Sequence, residues 1–117
     1  LVVGPDGDAG PVAAALRAAL GDAHGSVVDV SAHRAVLELA GPRARQVLEQ
    51  GCSIDLHPRA FGPGRCAQTL LARAQVLLWQ TAEGPTYLLL VRGSFAGYLA
   101  DWLVDALGEY AAPQPYR

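Results

Sequence analysis

Between Gly51 and Gln80 the chain runs from a turn-laden crossing into strict alternation, and this stretch narrows the possible folds more than any other. Pro58, Gly62, Pro63 and Gly64 interrupt any regular element in its first half. Its second half alternates as two strands, roughly Arg65 to Ala72 and Gln75 to Gln80. A third strand, Thr86 to Val91, follows the turn Glu83-Gly84-Pro85 and makes a hairpin with the second. Polar groups gather where the crossing meets the first strand: Asp55, His57, Arg59, Arg65 and Gln68. A long loop feeding a central strand is where a small α/β domain usually keeps its function.

The flanks supply helices and two more strands. Leu1 to Gly10 reads as a flexible arm rich in Gly, Pro and Asp. From Pro11 the pattern is helical, with Ala9, Val12, Ala13, Leu16, Ala19 and Leu20 on one face and Gly21 at the end. Ser26 to Ala32 and Ala35 to Ala40 read as short strands; in the second, Ala35, Leu37 and Leu39 point one way and Arg34 and Glu38 the other. Gly41-Pro42 opens a helix in which Ala44, Val47 and Leu48 face inward and Arg43, Arg45 and Glu49 face out, and Gly51 stops it. Ser94 is placed to cap a last helix, Phe95 to Leu107, whose apolar positions are Phe95, Leu99, Trp102, Leu103 and Ala106, with Val104 and Leu107 widening the stripe and Asp101 and Asp105 on the wet side. Residues 112–117 contain two prolines and read as an extended tail. The order predicts one α+β domain over 1–117: an antiparallel sheet of about five strands with three helices packed mainly on one face.

Bulk properties exclude several classes of function. A length of 117 residues with 51% hydrophobic content suits one packed core. The net charge of -2 gives no pull toward phosphate backbones or anionic lipid, so neither nucleic acid nor membrane is an expected partner. Two cysteines do not make a disulfide framework, and neither a secretory leader nor an apolar run of spanning length is written here. The expected setting is a reducing cytoplasm.

The chemistry-bearing residues do not form a known reactive pattern. Cys52, His57 and Cys66 share one segment, but zinc sites use closely paired ligands, and His24 and His33 stand alone in turns. Cys52, His57 and Asp55 supply the residue types of nucleophilic catalysis without its spacing, and Gly93-Ser94-Phe95 is not a nucleophile elbow. In Phe61-Gly62-Pro63-Gly64-Arg65, Pro63 lacks the donor that a phosphate-binding loop needs, and a strand follows instead of a helix. We therefore expect no catalytic, cofactor-binding or metal-binding residue in this chain. The last helix is apolar around more than half its circumference, and Trp79, Tyr87 and Tyr98 add aromatic area. That surplus reads as a contact surface for a partner, or equally as the core of a small domain that buries all it has.

Two runs carry a resemblance. Ala35-Val36-Leu37-Glu38-Leu39-Ala40-Gly41-Pro42-Arg43-Ala44 with Val47-Leu48 resembles the strand, Gly-Pro and helix signature of the glycine-cleavage T-protein folate-binding superfamily. Gly51 to Phe61, with Gly64-Arg65-Cys66-Ala67-Gln68-Thr69, is similar to the gamma subunit family of heterotetrameric sarcosine oxidase. Arg92 to Ala96 and Tyr98 to Leu103 match the same family, so the resemblance covers approximately Ser26 to Leu107. Ser53-Ile54 stands where Pro-Leu is commoner, and Leu1 to Gly10 offers nothing to match.

The resemblance implies a fold like the T-protein folate-binding domain. It also implies a non-catalytic structural subunit beside alpha, beta and delta subunits. Together these would demethylate sarcosine oxidatively to glycine, forming hydrogen peroxide and passing the one-carbon unit to tetrahydrofolate. FAD, FMN, NAD, tetrahydrofolate and zinc would be held by the partner subunits. His57, Arg59, Phe61, Arg65 and Gln68, clustered at one sheet end, are the expected partner contacts. The competing readings are a free-standing folate-binding module or small one-carbon transferase, with Asp55 or Glu38 as its pterin anchor, and an adaptor in an unrelated complex.

Overall fold

The computed structural model describes residues 1–111. Its residues fall into two compact units, Leu1–His33 and a second beginning at Arg34. In the first unit, helix α1 spans Ala9–Leu20, two residues ahead of the start expected at Pro11. Asp8 supplies the first helical acceptor, taking the N–H of Val12 at 3.0 Å. Gly21 ends the helix with a φ of 54°, but its ψ of -129° is not that of the left-handed cap expected from the sequence. Arg17 then reaches forward to donate to the Val27 carbonyl at 3.1 Å.

The strand expected over Ser26 to Ala32 does not form. Asp29 takes both the backbone N–H and the hydroxyl of Ser31 on one carboxylate oxygen, and His33 N–H closes on the Val30 carbonyl at 2.9 Å. Those local bonds offer the backbone a turn in place of a ladder, which outweighs the valines on either side. The same two bonds hold the Asp29 carboxyl below its usual range, the Ser31 hydroxyl contributing most.

The second unit is an α+β structure with a four-stranded, not five-stranded, antiparallel sheet. The strands are β1 (Arg34–Ala40), β2 (Cys66–Leu71), β3 (Ala74–Ala82) and β4 (Thr86–Arg92), ordered β1-β4-β3-β2. Helices α2 (Ala44–Glu49) and α3 (Ala96–Leu107) pack on one face. Register decides which side chains meet there. Leu39 lies opposite Tyr87, Leu37 opposite Leu89, and Leu78 opposite Leu89 from the other side, so one face of three strands is continuously apolar. Ala44, Val47 and Leu48 of α2, with Leu99, Leu103 and Ala106 of α3, close over it. Full burial of one such Leu or Val contributes about 1.5–3 kcal/mol.

The expected face of β1 and the three inward residues of α2 are found as read. The last helix differs at its start. Gly93–Phe95 forms a 3-10 turn, Ser94 makes no capping bond, and Phe95 is 42% exposed. Its inward stripe runs through Ala96, Leu99, Trp102, Leu103 and Ala106, and the tighter turn leaves Phe95 off the face that these residues share. Residues 112–117, read from the sequence as an extended tail, lie outside the described residues.

Two hairpins and one close approach lock the unit. Glu83-Gly84-Pro85 joins β3 to β4, with a bulge between Gln80 and Ala82. The β2–β3 turn is only Ala72-Arg73, and Ala72 takes a φ of 52°, unusual for a residue with a Cβ. Its N–H donates to the Gly51 carbonyl at 2.9 Å, while the Tyr98 hydroxyl accepts from Arg73 N–H at 3.3 Å. Gly51 is also the place where the ring of Trp102 meets the backbone. A Cβ built there would stand 2.6 Å from the indole and 3.2 Å from the Ala72 nitrogen. Gly51→Ala is therefore expected to destabilise the chain by about 1–3 kcal/mol through overpacking. Urea unfolding followed by tryptophan fluorescence would measure it.

Candidate functional site

The crossing from Gly51 to Arg65 contains no helix or strand, yet nearly every turn in it is bonded. Asp55 Oδ1 accepts the His57 N–H at 2.9 Å, forming an Asx turn. His57 Nδ1 in turn accepts the Arg59 N–H at 3.2 Å, which places the proton of the neutral ring on Nε2. The His57 carbonyl takes the N–H groups of Ala60 and Phe61 at 2.8 and 2.9 Å. Gly62 O accepts from Arg65 N–H at 3.1 Å, with Gly64 at a φ of 82° inside that turn. The far end is then stitched to β3: Gly64 N–H donates to Gln80 O at 2.8 Å, and Gln80 N–H to Arg65 O at 3.0 Å.

Beneath this loop two side chains act as anchors. Leu56 is 2% and Phe61 5% exposed, and both belong to the main core. This corrects one expectation: Phe61 points down into the core and props the crossing, leaving no ring for a partner to touch. His57, Arg59, Arg65 and Gln68 are all exposed. Hydrogen bonds join His57 to Arg59 and to Asp55 within one turn. Arg65 is placed separately, at the entry to β2 and tied to Gln80, and Gln68 lies on the sheet face away from the helices, opposite Leu77.

The candidate catalytic groups are not brought together. The Asp55 carboxylate engages the backbone of His57 and not its ring, so it does not orient the imidazole as a base. Cys52 is half-buried and pairs through an isolated bridge with Leu71, at the opposite end of β2 from the exposed Cys66. Both thiols are free, and no group of three His, Cys, Asp or Glu side chains among the described residues is placed to hold a metal ion. No helix among the described residues is long and apolar enough to cross a membrane.

Aromatic and apolar surface is present, though not where all of it was expected. Tyr98 is partly exposed and stacks edge-on against Phe95, with ring centroids 6.3 Å apart and planes at 88°. Val104, on the same helix, is 70% exposed. Tyr87, one of the aromatic residues that the sequence left open between contact surface and core, is fully buried. The signal was available: Tyr87 is in phase with Leu89 and Val91, and a period of two sends all three to the helix-covered face.

That burial pushes the Tyr87 phenol above its ordinary pKa of 10.0. The Arg45 guanidinium nearby works against the rise, and Glu49 adds to it. Because the folded pKa exceeds the unfolded one, the contribution to stability is complete below about pH 10 and is lost as pH climbs through the folded value. Tyr87→Phe should accordingly flatten the alkaline fall in stability, measurable as Tm against pH.

The second unit is thus an α+β module with a tightly bonded polar loop and with aromatic surface on α3. The family can be stated directly: the chain belongs to the sarcosine oxidase, gamma subunit family, whose model matches residues 1–109. That match takes in the N-terminal arm, for which the sequence alone offered no counterpart. The chain is 49% identical over 112 residues to sarcosine oxidase subunit gamma of Corynebacterium sp. (strain P-1), covering 96% of this chain and 54% of that one. It is 48% identical over 113 residues to sarcosine oxidase subunit gamma of Arthrobacter sp., covering 97% and 54%. Among solved structures it resembles a chain of the heterotetrameric sarcosine oxidase from Corynebacterium sp. U-96 in complex with pyrrole 2-carboxylate, with a TM-score of 0.83 and 43% identity, over 91% of this chain and 54% of that chain. The chain thus spans about half the length of the curated relatives it matches.

If Phe61 is the prop described above, its loss should cost far more than loss of any charged group on the loop. Phe61→Ala is expected to destabilise by about 3–5 kcal/mol. Arg59→Ala, at an exposed position, should stay within about 0.5 kcal/mol of the parent. Parallel urea titrations would check the pair.

Proposed function

We propose that this chain works as a structural, non-catalytic part of the gamma subunit of a heterotetrameric sarcosine oxidase, held against alpha, beta and delta subunits in the cytoplasm. The observation that carries this reading is the likeness to a chain of a solved heterotetrameric sarcosine oxidase, at 43% identity over 91% of this chain. In this proposal the complex oxidises the N-methyl group of sarcosine, giving glycine and hydrogen peroxide, and the one-carbon unit passes to tetrahydrofolate. FAD, FMN, NAD, tetrahydrofolate and zinc are assigned to the partner subunits. The kinship of the sheet to the T-protein folate-binding domain belongs to the same proposal.

The physics of the crossing supports a contact role. Ordering a loop costs conformational entropy, and a loop already bonded at both ends pays little of that cost on association. His57 presents its Nε2–H, a donor whose direction is fixed by the bond at Nδ1. Arg59, Arg65 and Gln68 add exposed donors, and Arg is a common anchor of protein interfaces. The Phe95–Tyr98 pair and Val104 on α3 supply exposed apolar area elsewhere in the same unit, Tyr98 at the β2–β3 turn.

The experiment is co-expression with the three partner subunits, followed by size-exclusion chromatography. His57→Ala combined with Arg65→Ala should weaken recovery of the complex by at least about tenfold while leaving the chain folded, the scale expected when interface anchors are removed. Unchanged assembly would refute the contact assignment. Micromolar binding of tetrahydrofolate by the isolated chain would favour a folate-binding module over the structural role.

A further inference from the structure

The four-stranded sheet has two edges, and they are finished differently. At β2 the crossing closes one end, where Cys52 bridges to Leu71 and the Ala72 N–H reaches the Gly51 carbonyl. At β1 no backbone bond reaches the outer side of the strand among the described residues. An edge of that kind is a template for another strand, because its outward N–H and C=O groups have no ladder partner.

Three β1 side chains on the face turned from α2 and α3 specify which strand fits. Arg34, Val36 and Glu38 share that face by the period of two. Val36 is 54% exposed, and Glu38 is exposed as well. Within the sheet neither charge meets its opposite. Arg34 lies across from Arg92, a like charge, and Glu38 lies across from Leu88. Like charges placed directly opposite destabilise a ladder, whereas opposite charges support it. The outer side of β1 therefore suits a strand with an acid opposite Arg34, an apolar residue opposite Val36 and a base opposite Glu38.

β1 itself, run antiparallel, has that sequence. Pairing about Val36 sets Arg34 against Glu38 of a second copy, Glu38 against its Arg34, and Val36 against its Val36. Ala35 then meets Leu37 on the helix-covered side, where each is only half-buried. The neighbouring registers fit worse. Centred on Ala35, Arg34 would face Val36; centred on Leu37, Glu38 would face Val36; centred on Arg34 or Glu38, like charges would meet. A register between two residues would set opposite faces of the strands together.

We infer that β1 is the interface of a weak two-fold dimer, in which two copies of this chain join edge to edge through antiparallel β1 strands registered on Val36. The two-fold axis makes each Arg34–Glu38 contact twice. Glu38 of the second copy also offsets the repulsion between Arg34 and Arg92. The paired segment, Arg34 to Glu38, is small beside a standard interface, so its Kd is on the order of 10–100 µM. The inference does not rest on the oxidase reading, because it concerns only the affinity of this chain for itself.

Sedimentation equilibrium of the full chain, from about 5 to 500 µM, tests it. The mass should rise toward that of a dimer as concentration increases. Arg34→Glu sets acids against acids across the axis and should weaken association at least about tenfold. Arg34→Glu combined with Glu38→Arg exchanges the charges and should bring association back to within about threefold of the parent. That exchange is decisive, since only a second copy of the same variant carries both changes. Amide exchange reads the same event independently: β1 amides should slow with rising concentration while β2 amides do not. A chain that stays monomeric over the whole range would overturn the inference and leave Arg34 and Glu38 as guards of a bare edge. A dimer that Arg34→Glu leaves intact, or that the exchange fails to restore, would overturn it equally.

Discussion

Strand β4 is paired on both sides, and withdrawal of its inner side chains from water is the interaction on which the second unit depends. Tyr87, Leu89 and Val91 lie between Leu39, Leu37 and Ala35 on one flank and Gln80, Leu78 and Val76 on the other. None of the three β4 residues is exposed. A slip of one residue in either ladder would turn this set outward, so the apolar pattern fixes the register along with the fold. The helices complete the layer, and their short apolar stripes match the width of the face they cover.

The crossing borrows its order from that layer. It has no ladder of its own, and its backbone bonds are local turns joined to β3 at Gly64 and Arg65. What keeps it from fraying is the pair of apolar anchors below, Leu56 and Phe61, together with the stitch to Gln80. Exposed polar side chains are therefore carried on a support tied to the core and to β3. That arrangement suits recognition by another protein surface, where preorganisation preserves affinity that a mobile loop would lose.

Much of the second unit was legible in the sequence because its signals are periodic. The alternation of Ala35, Leu37 and Leu39, the spacing of Ala44, Val47 and Leu48, and the Glu83-Gly84-Pro85 turn each specify a local geometry that packing then reinforces. Where the reading missed, short-range polar bonding had the stronger claim. Asp29 and Ser31 converted an expected strand into a turn, and the Gly93–Phe95 turn rotated Phe95 outward. The polar loop was visible as a cluster of residue types, but the inward direction of Phe61 was not, since nothing periodic in a Gly- and Pro-rich run reports which way a side chain points.

Cys66 faces Trp79 across the β2–β3 ladder, on the side of the sheet away from the helices, and its sulfur is accessible. The second indole, Trp102, lies against Gly51 on the opposite side. A thiol-directed dye or quencher attached at Cys66 would thus address one indole and spare the other. The two indoles thus occupy different settings, one on the sheet face turned from α2 and α3 and the other at the seam between helix and backbone.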